Sequence, residues 1–144
     1  MECPLCNVRK AHRDTQLLYE DDLVFVVMNL EQVKDGHVMI LPVRHLRTMS
    51  DLTPEESAAF HRHCDMAMEM VEKLYPGDGP ICVVSGWKHR SQEHLHAHVV
   101  PSKHSPRQLF AYAEGTPLRT PLSPEQMKER SGRIRTYYQE HLPS

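Results

Sequence analysis

Three histidines at alternate positions are the residues with the clearest capacity for chemistry. They are His94, His96 and His98, and the residues between them are apolar. Alternation with period two is typical of a half-buried β-strand, so we expect the three imidazoles to share one face. The opposite face, expected to pack on a core, would carry Leu95, Ala97 and Val99. Because crowded imidazoles repel one another once protonated, a purely structural role for all three is disfavoured.

Two kinds of chemistry are compatible with this face. Neutral imidazole is a nucleophile whose pKa lies near neutrality, so one histidine could attack phosphorus while the others donate hydrogen bonds to phosphoryl oxygens. The three imidazoles could instead hold a catalytic zinc ion with a water in the fourth position. Residue types and spacing alone leave both open.

The cysteines offer a second site. Cys3 and Cys6 form a Cys-x-x-Cys pair, whereas Cys64 and Cys82 lie singly among apolar residues. In a reducing compartment this spacing indicates a metal clip or a redox pair. A tetrahedral zinc ion would need two further ligands, for which the chain offers eleven histidines. Spacing alone does not identify which two.

Composition restricts the class of protein. The length of 144 residues suits a single domain, predicted over 1–144 with a core at 1–102 and a C-terminal extension at 103–144. The formal net charge of −2 gives no basic field, so charge does not support a nucleic-acid partner. No apolar run is long enough to span a membrane, and the chain starts without a basic and apolar leader. We therefore expect a soluble, cytoplasmic protein with no membrane partner.

The remaining sequence predicts an α+β domain. Apolar, β-branched runs predict strands at 23–28, 37–42 and 80–85 besides the histidine strand. A capping box at Thr53 predicts one long helix from about Pro54 to Tyr75, and a second at Ser123 predicts a C-terminal helix at about 124–141. Residues 1–12 are expected to form a turn-rich knuckle. Together these elements suggest an antiparallel sheet of about five strands with the long helix on one face.

The chain resembles the histidine triad (HIT) family. Residues 94–100 match the pattern His-φ-His-φ-His-φ-φ, with φ apolar. Other segments are similar to further landmarks of the family in the same order: Cys-Pro-Leu-Cys at 3–6, Tyr-Glu-Asp at 19–21, Gly-His-Val at 36–38 and Leu-Pro-Val-Arg-His at 41–45. The resemblance covers about residues 1–102. It implies the HIT-like fold and the zinc-containing branch with an N-terminal Cys-x-x-Cys.

This resemblance implies a nucleotide hydrolase or transferase acting at the α-phosphate of a nucleoside phosphoramidate or dinucleoside polyphosphate. His96 would carry a covalent nucleotidyl group, and His98 would donate to a phosphoryl oxygen. His37 would help to orient the catalytic imidazoles. Ser91 would lie near the phosphate or leaving group, and Asn29 would bind the ribose hydroxyls of an adenosine or other purine nucleotide.

The resemblance also implies how the metal ligands are divided. A structural Zn²⁺ would be held by Cys3, Cys6, His45 and His94, which favours the nucleophile interpretation and leaves His96 free. Family members usually pair through the long helix and an adjacent strand, so a homodimer is expected.

The loop before the triad departs from the family pattern. Many members carry Gly-Gln ahead of the first histidine, whereas this chain has His89 and Arg90 there, and its nearest glutamine, Gln92, is assigned to substrate binding. The basic, aromatic loop 87–90 could meet a polyphosphate or an oligonucleotide end, as in the branch that removes adenylate from DNA 5′ ends. A nucleotide-binding sensor or scaffold without useful turnover is the other alternative. The leaving group and base preference stay open.

Overall fold

The computed structural model describes residues 3–142 and gathers the chain into two compact units, Met1–Pro106 and Arg107–Ser144. The first unit contains five strands, β1 Leu17–Glu20, β2 Val24–Met28, β3 Val38–Pro42, β4 Gly79–Val83 and β5 Ala97–Ser102. Its two α-helices are α1 Pro4–Ala11 and α2 Pro54–Leu74, and short 3-10 turns lie at Met49–Asp51 and Trp87–His89. This arrangement confirms the predicted α+β class.

The strands form one antiparallel sheet in the order β1-β2-β3-β5-β4. Strand β3 is central and pairs with β5, so that Met39 lies opposite His98. His37 immediately precedes β3, and the histidine segment leads into β5. The sheet therefore brings His37 and the triad together although some 60 residues separate them in the sequence.

Apolar side chains cover both faces of the sheet. The core on the side of α2 contains Val24, Val26, Val38, Ile40, Ala59, Phe60, Cys64, Ala67, Val71, Ala97 and Val99. The opposite core contains Leu5, Phe25, Val27, Met39 and Leu41. Strands β2 and β3 bury residues on both sides, which explains why they are continuous apolar runs in the sequence. Full burial of a large apolar side chain stabilises the fold by about 1.5–3 kcal/mol.

Helix α2 begins where the capping box predicts. The Thr53 hydroxyl accepts a hydrogen bond from the Glu56 backbone N–H, and the Glu56 carboxylate accepts one from the Thr53 N–H. These two bonds satisfy donors that the first helical turn leaves without a partner. The helix ends at Leu74, one residue before the predicted end.

Two local predictions were wrong. Residues 1–12 contain helix α1 in place of a turn-rich knuckle, because Leu5 is buried in the core and fixes this short helix against the sheet. The regular part of the histidine strand begins only at Ala97. His94 and His96 precede it, in an irregular segment whose Leu95 N–H donates to the Leu46 carbonyl over 2.7 Å. Leu95, Ala97 and Val99 are fully buried, as expected.

The second unit contains two helices, α3 Pro106–Glu114 and α4 Pro124–His141. Helix α3 begins at Pro106, the last residue assigned to the first unit. Helix α4 has the bounds that the second capping box predicts, with the Ser123 hydroxyl accepting from the Gln126 N–H. Helix α3 was not predicted. Within residues 3–142, no helix is both long enough and apolar enough to cross a membrane.

Candidate functional site

Four metal-ligating side chains converge beside the sheet. The ligand atoms of Cys3, Cys6, His45 and His94 all lie within 4.8 Å of one another. Sγ of Cys6 is 3.2 Å from Nδ1 of His94 and 3.5 Å from Nδ1 of His45, and Sγ of Cys3 is 3.9 Å from Nδ1 of His94. Zinc bonds of about 2.3 Å to sulfur and about 2.0 Å to nitrogen place tetrahedral ligands at such separations.

Three distant segments supply these ligands. Cys3 caps the N-terminus of α1 and Cys6 lies in its first turn, where residues three apart share a face. His45 follows β3, and His94 lies in the segment before β5. The hydrogen bond from Leu95 to Leu46 joins the last two segments directly next to both histidines. The cluster is thus held by the fold as well as by any bound ion.

Hydrogen bonding prepares His94 to bind a metal. Its Nε2–H donates to the Pro42 carbonyl oxygen over 2.8 Å, which leaves the lone pair of Nδ1 facing the thiols. Burial lowers the pKa of His94 to about 4, so the ring is neutral at pH 7. Burial and the adjacent Cys3 thiol raise the pKa of Cys6 to about 11, a cost that a bound cation would offset. The donor set therefore fits a closed, structural zinc site.

His96 has its own tautomer fixed by the backbone. Nδ1 of His96 lies 2.7 Å from the carbonyl oxygen of His94. Because a carbonyl oxygen only accepts, the proton of the neutral ring resides on Nδ1 and the lone pair on Nε2. Burial lowers the pKa of His96, and the positive charge of Arg90 lowers it further. In the neutral ring, Nε2 of His96 is therefore the nitrogen that carries the lone pair.

A cleft of about 310 Å³ adjoins this imidazole. Its lining contains Leu5, Asn29, Leu30, Glu31, Met39, Ser91, Gln92, His96 and His98. Of the six residues predicted to act in catalysis or substrate binding, five line this cleft. The sixth, His37, does not. Leu5, Leu30, Glu31 and Met39 were not predicted. A signal for two of them was available, since Leu30 and Glu31 directly follow Asn29 in the sequence.

His37 lies behind His98 and outside the lining. It is 2% exposed, and its Nε2 lies 2.7 Å from Nδ1 of His98. Burial lowers the pKa of His37, and burial together with His96 and His37 lowers the pKa of His98 to about 4. Two neutral rings at this distance share one hydrogen bond, so one ring donates and the other accepts.

Arg90 holds the loop before the triad. Its Nε–H donates to the Ser85 carbonyl over 3.1 Å, and its Nη1 donates to the carbonyls of Arg47 and Glu93. One guanidinium thereby fixes both ends of the segment that carries Ser91 and Gln92. These contacts assign Arg90 a structural role beside any effect of its charge.

The three triad imidazoles do not form a single metal site. His94 faces the thiols, whereas Nδ1 of His96 and Nδ1 of His98 each have a hydrogen-bond partner within the protein. Across residues 3–142, the cysteine and histidine cluster is the one group of three or more potential ligands that converges. The arrangement favours a nucleophile next to a structural metal site over a catalytic metal.

Comparison with known proteins identifies the family of this chain. The HIT domain family model matches residues 10–105. A bis(5'-adenosyl)-triphosphatase from Dictyostelium discoideum is 30% identical over 135 residues, which span 90% of this chain and 89% of that protein. A bis(5'-nucleosyl)-tetraphosphatase [asymmetrical] from Schizosaccharomyces pombe is 25% identical over 91 residues, covering 62% of this chain and 50% of its own length.

Solved structures share the fold. A HIT family member from Bacillus subtilis superposes with a TM-score of 0.72 at 19% identity, covering 100% of this chain and 99% of its own. A histidine triad nucleotide-binding protein from Candida albicans gives a TM-score of 0.70 at 18% identity, with 98% and 97% covered. The family match includes His37, His45 and the whole triad. The chain belongs to the HIT domain family.

Proposed function

We propose that this protein is an enzyme that cleaves at the α-phosphate of a dinucleoside polyphosphate or nucleoside phosphoramidate through a nucleotidyl group bound covalently to His96. The observation that carries the proposal is the hydrogen bond from Nδ1 of His96 to the His94 carbonyl, which leaves Nε2 as a neutral nucleophile. The names of the relatives, a bis(5'-adenosyl)-triphosphatase and a bis(5'-nucleosyl)-tetraphosphatase, support polyphosphate substrates.

The reaction would proceed in two displacements. Nε2 of His96 attacks the α-phosphorus, and the bond from phosphorus to the leaving group breaks with its electron pair. The proton on Nδ1 stays in place, so the ring becomes an imidazolium whose charge lies against the His94 carbonyl. Water then attacks phosphorus and loses a proton to solvent, the N–P bond breaks with its electron pair returning to Nε2, and a nucleoside monophosphate leaves. Another nucleophile in place of water would make the enzyme a transferase.

The other lining residues would bind the substrate. His98 would donate to a phosphoryl oxygen, and Ser91 and Gln92 would contact the phosphate or the leaving group. Oδ1 of Asn29 would accept a hydrogen bond from a ribose hydroxyl. The apolar side chain of Leu30, 77% exposed in the lining, would pack against an adenine or other purine base.

Zn²⁺ would be the structural cofactor, held by Cys3, Cys6, His45 and His94. When bound, it would cross-link the N-terminal segment at α1 to the segments that follow β3 and precede β5, and it would supply no step of the reaction. Paired thiolates of this kind favour a reducing compartment, which supports a cytoplasmic location.

Trapping the intermediate tests the proposal. The wild-type protein is mixed with diadenosine triphosphate, quenched at alkaline pH because phosphoramidate bonds are labile in acid, and examined by intact mass spectrometry and peptide mapping. We expect one adenylyl group on His96, its absence in His96→Ala, and its retention in His104→Ala, which alters an exposed histidine outside the cleft. Turnover by His96→Ala at the wild-type rate would contradict the mechanism.

The same assay distinguishes the alternatives. Tight nucleotide binding by the wild type, with neither adduct nor product across dinucleoside polyphosphates and phosphoramidates, would indicate a sensor or scaffold. Preferred turnover of adenylated DNA would indicate the branch that acts on nucleic-acid 5′ ends.

We also propose a homodimer that pairs through α2 and the adjacent strand β4. Strand β4 is an edge of the sheet, with unpaired backbone groups on its outer side and Val83 44% exposed. Sedimentation velocity should give a dimer for the wild type and a monomer for Val83→Asp. A wild-type monomer at micromolar concentration would contradict the proposal.

A further inference from the structure

The loop between β2 and β3 returns to the ring of His37. Nδ2 of Asn29 lies 2.7 Å from the Glu31 carbonyl oxygen and 3.2 Å from Nδ1 of His37. The backbone N–H of Val33 points at the same Nδ1 over 3.3 Å. Since the Glu31 carbonyl can only accept, the Asn29 atom that faces it must be the amide nitrogen. The orientation of the Asn29 amide is therefore fixed by its surroundings.

Two donors thus converge on Nδ1 of His37. That nitrogen must carry the lone pair, so the proton of the neutral ring lies on Nε2. Nε2 is 2.7 Å from Nδ1 of His98, which therefore accepts and leaves the proton of His98 on its own Nε2. His98 lines the cleft, and its remaining N–H is the one available to a ligand there.

The two neighbouring triad imidazoles are consequently fixed in complementary states. The His94 carbonyl makes His96 present a lone pair, whereas the chain from Asn29 through His37 makes His98 present an N–H. Their ring centroids are 4.8 Å apart. A phosphoryl group between them would meet a nucleophile and a hydrogen-bond donor, each in the required state before the substrate arrives.

We propose that Asn29 is a positioning residue that acts through His37, fixing its tautomer and thereby the hydrogen-bond donor of His98. This role is additional to ribose binding, because the first uses Nδ2 and the second would use Oδ1. Its kinetic consequence rests on the proposed function, whereas the tautomer itself does not.

Imidazole ¹⁵N NMR of the full-length, ¹⁵N-labelled protein tests the tautomer directly, with His37→Gln identifying the His37 signals. We expect Nδ1 of His37 to be unprotonated and Nε2 protonated in the wild type. Asn29→Asp replaces the donor by an acceptor, and we expect Nδ1 of His37 to gain a proton. A protonated Nδ1 in the wild type, or an unchanged ring in Asn29→Asp, would overturn the proposal.

Kinetics separate this role from ribose binding. Asn29→Asp keeps an acceptor for the ribose, so we expect kcat to fall about tenfold with KM within about twofold, the effect of one net hydrogen bond. Asn29→Ala loses both interactions and should also raise KM. An Asn29→Asp variant that raises KM alone would show that the residue binds ribose and positions nothing.

Gln32→Glu is the matched control for loop anchoring. Gln32 donates from Nε2 to the carbonyls of Asn29 and His37 and accepts a hydrogen bond from the His37 backbone N–H, and none of these bonds involves the ring. We expect its His37 tautomer to be that of the wild type. An equal tautomer change in Gln32→Glu would trace the effect to loop disorder and overturn the specific role of Asn29. If the wild-type tautomer is as expected but no nucleotide is turned over, the proposed function alone fails.

Discussion

The guanidinium of Arg44 donates a hydrogen bond to each carboxylate oxygen of Glu56, from Nε to Oε1 and from Nη2 to Oε2, both over 2.9 Å. Arg44 directly precedes the zinc-ligand candidate His45, and Glu56 lies in the first turn of α2. Arg44 also donates to the Asp51 carbonyl. This ion pair therefore connects the start of the long helix to the segment that supplies a metal ligand.

Stability should depend on pH through this pair. Hydrogen bonds from Arg44 and from the Thr53 N–H lower the pKa of Glu56 below its usual value of 4.5. A carboxyl group with a lowered pKa contributes stability above its unfolded pKa and loses that contribution as pH falls through its folded pKa. Glu56→Gln keeps the cap but removes the charge, and we expect it to lower Tm by about 3 °C at pH 7. The Tm difference between the two proteins should shrink as pH falls below 4.5 and through the lowered pKa of Glu56, and a difference that stays constant under acid conditions would contradict this account.

Gly36 is required for the turn that precedes His37. Its φ of +92° is unfavourable for other residues, and a Cβ there would lie 2.6 Å from the ring of Tyr75. We expect Gly36→Ala to destabilise the protein by about 2 kcal/mol or more, measured by urea unfolding. Gly77→Ala is the control, because its Cβ would meet nothing within 4 Å. Equal stabilities of the two variants would show that the turn accommodates a side chain.

Among the cysteines, metal content should depend on Cys3 and Cys6, which belong to the cluster with His45 and His94. We expect the wild type to contain about one zinc ion per chain and Cys6→Ser to contain close to none, with a lower Tm. Cys82→Ser, which changes an exposed cysteine on β4, should keep its zinc. Elemental analysis by mass spectrometry after dialysis measures both. Full zinc content in Cys6→Ser would exclude this site.

Arg90 should support substrate binding through the hydrogen bonds of its guanidinium more than through its positive charge. Loss of its bonds to the carbonyls of Ser85, Arg47 and Glu93 would loosen the segment carrying Ser91 and Gln92. We expect Arg90→Ala to raise KM for diadenosine triphosphate about tenfold, with zinc content unchanged. Arg90→Lys keeps the charge but not the planar fork and should behave similarly. Wild-type kinetics for Arg90→Lys would assign the effect to charge instead.

Elements with local signals were predictable from the sequence. Helices α2 and α4 begin at capping boxes, and α2 is followed by Pro76 and Gly77. Strands β2 and β3 are continuous apolar runs because both of their faces are covered. The burial of Leu95, Ala97 and Val99 was predicted from their alternation with the triad histidines.

Features that depend on distant contacts were not predictable in this way. Helix α1 spans only eight residues and has a single buried residue, Leu5, so its apolar pattern is too short to predict a helix. Strand β1 lies at an edge with mixed burial, and α3 buries none of its residues. The protonation states in the site depend on acceptors from elsewhere, such as the Pro42 carbonyl for His94. The spacing of the histidines indicated which side chains lie close together, but it could not show which ring nitrogen of each is protonated.

The hydrogen bond from His96 to the carbonyl of residue 94 has a consequence for how this site tolerates mutation. Every amino acid at position 94 supplies the same carbonyl, so no single substitution can delete the acceptor that sets the state of the nucleophile. The donor state of His98 depends in part on the side chain of Asn29, which one substitution can remove. Among relatives, substitutions at position 29 should therefore change the hydrogen-bond donor of His98, whereas substitutions at position 94 should not change which nitrogen of His96 carries the lone pair.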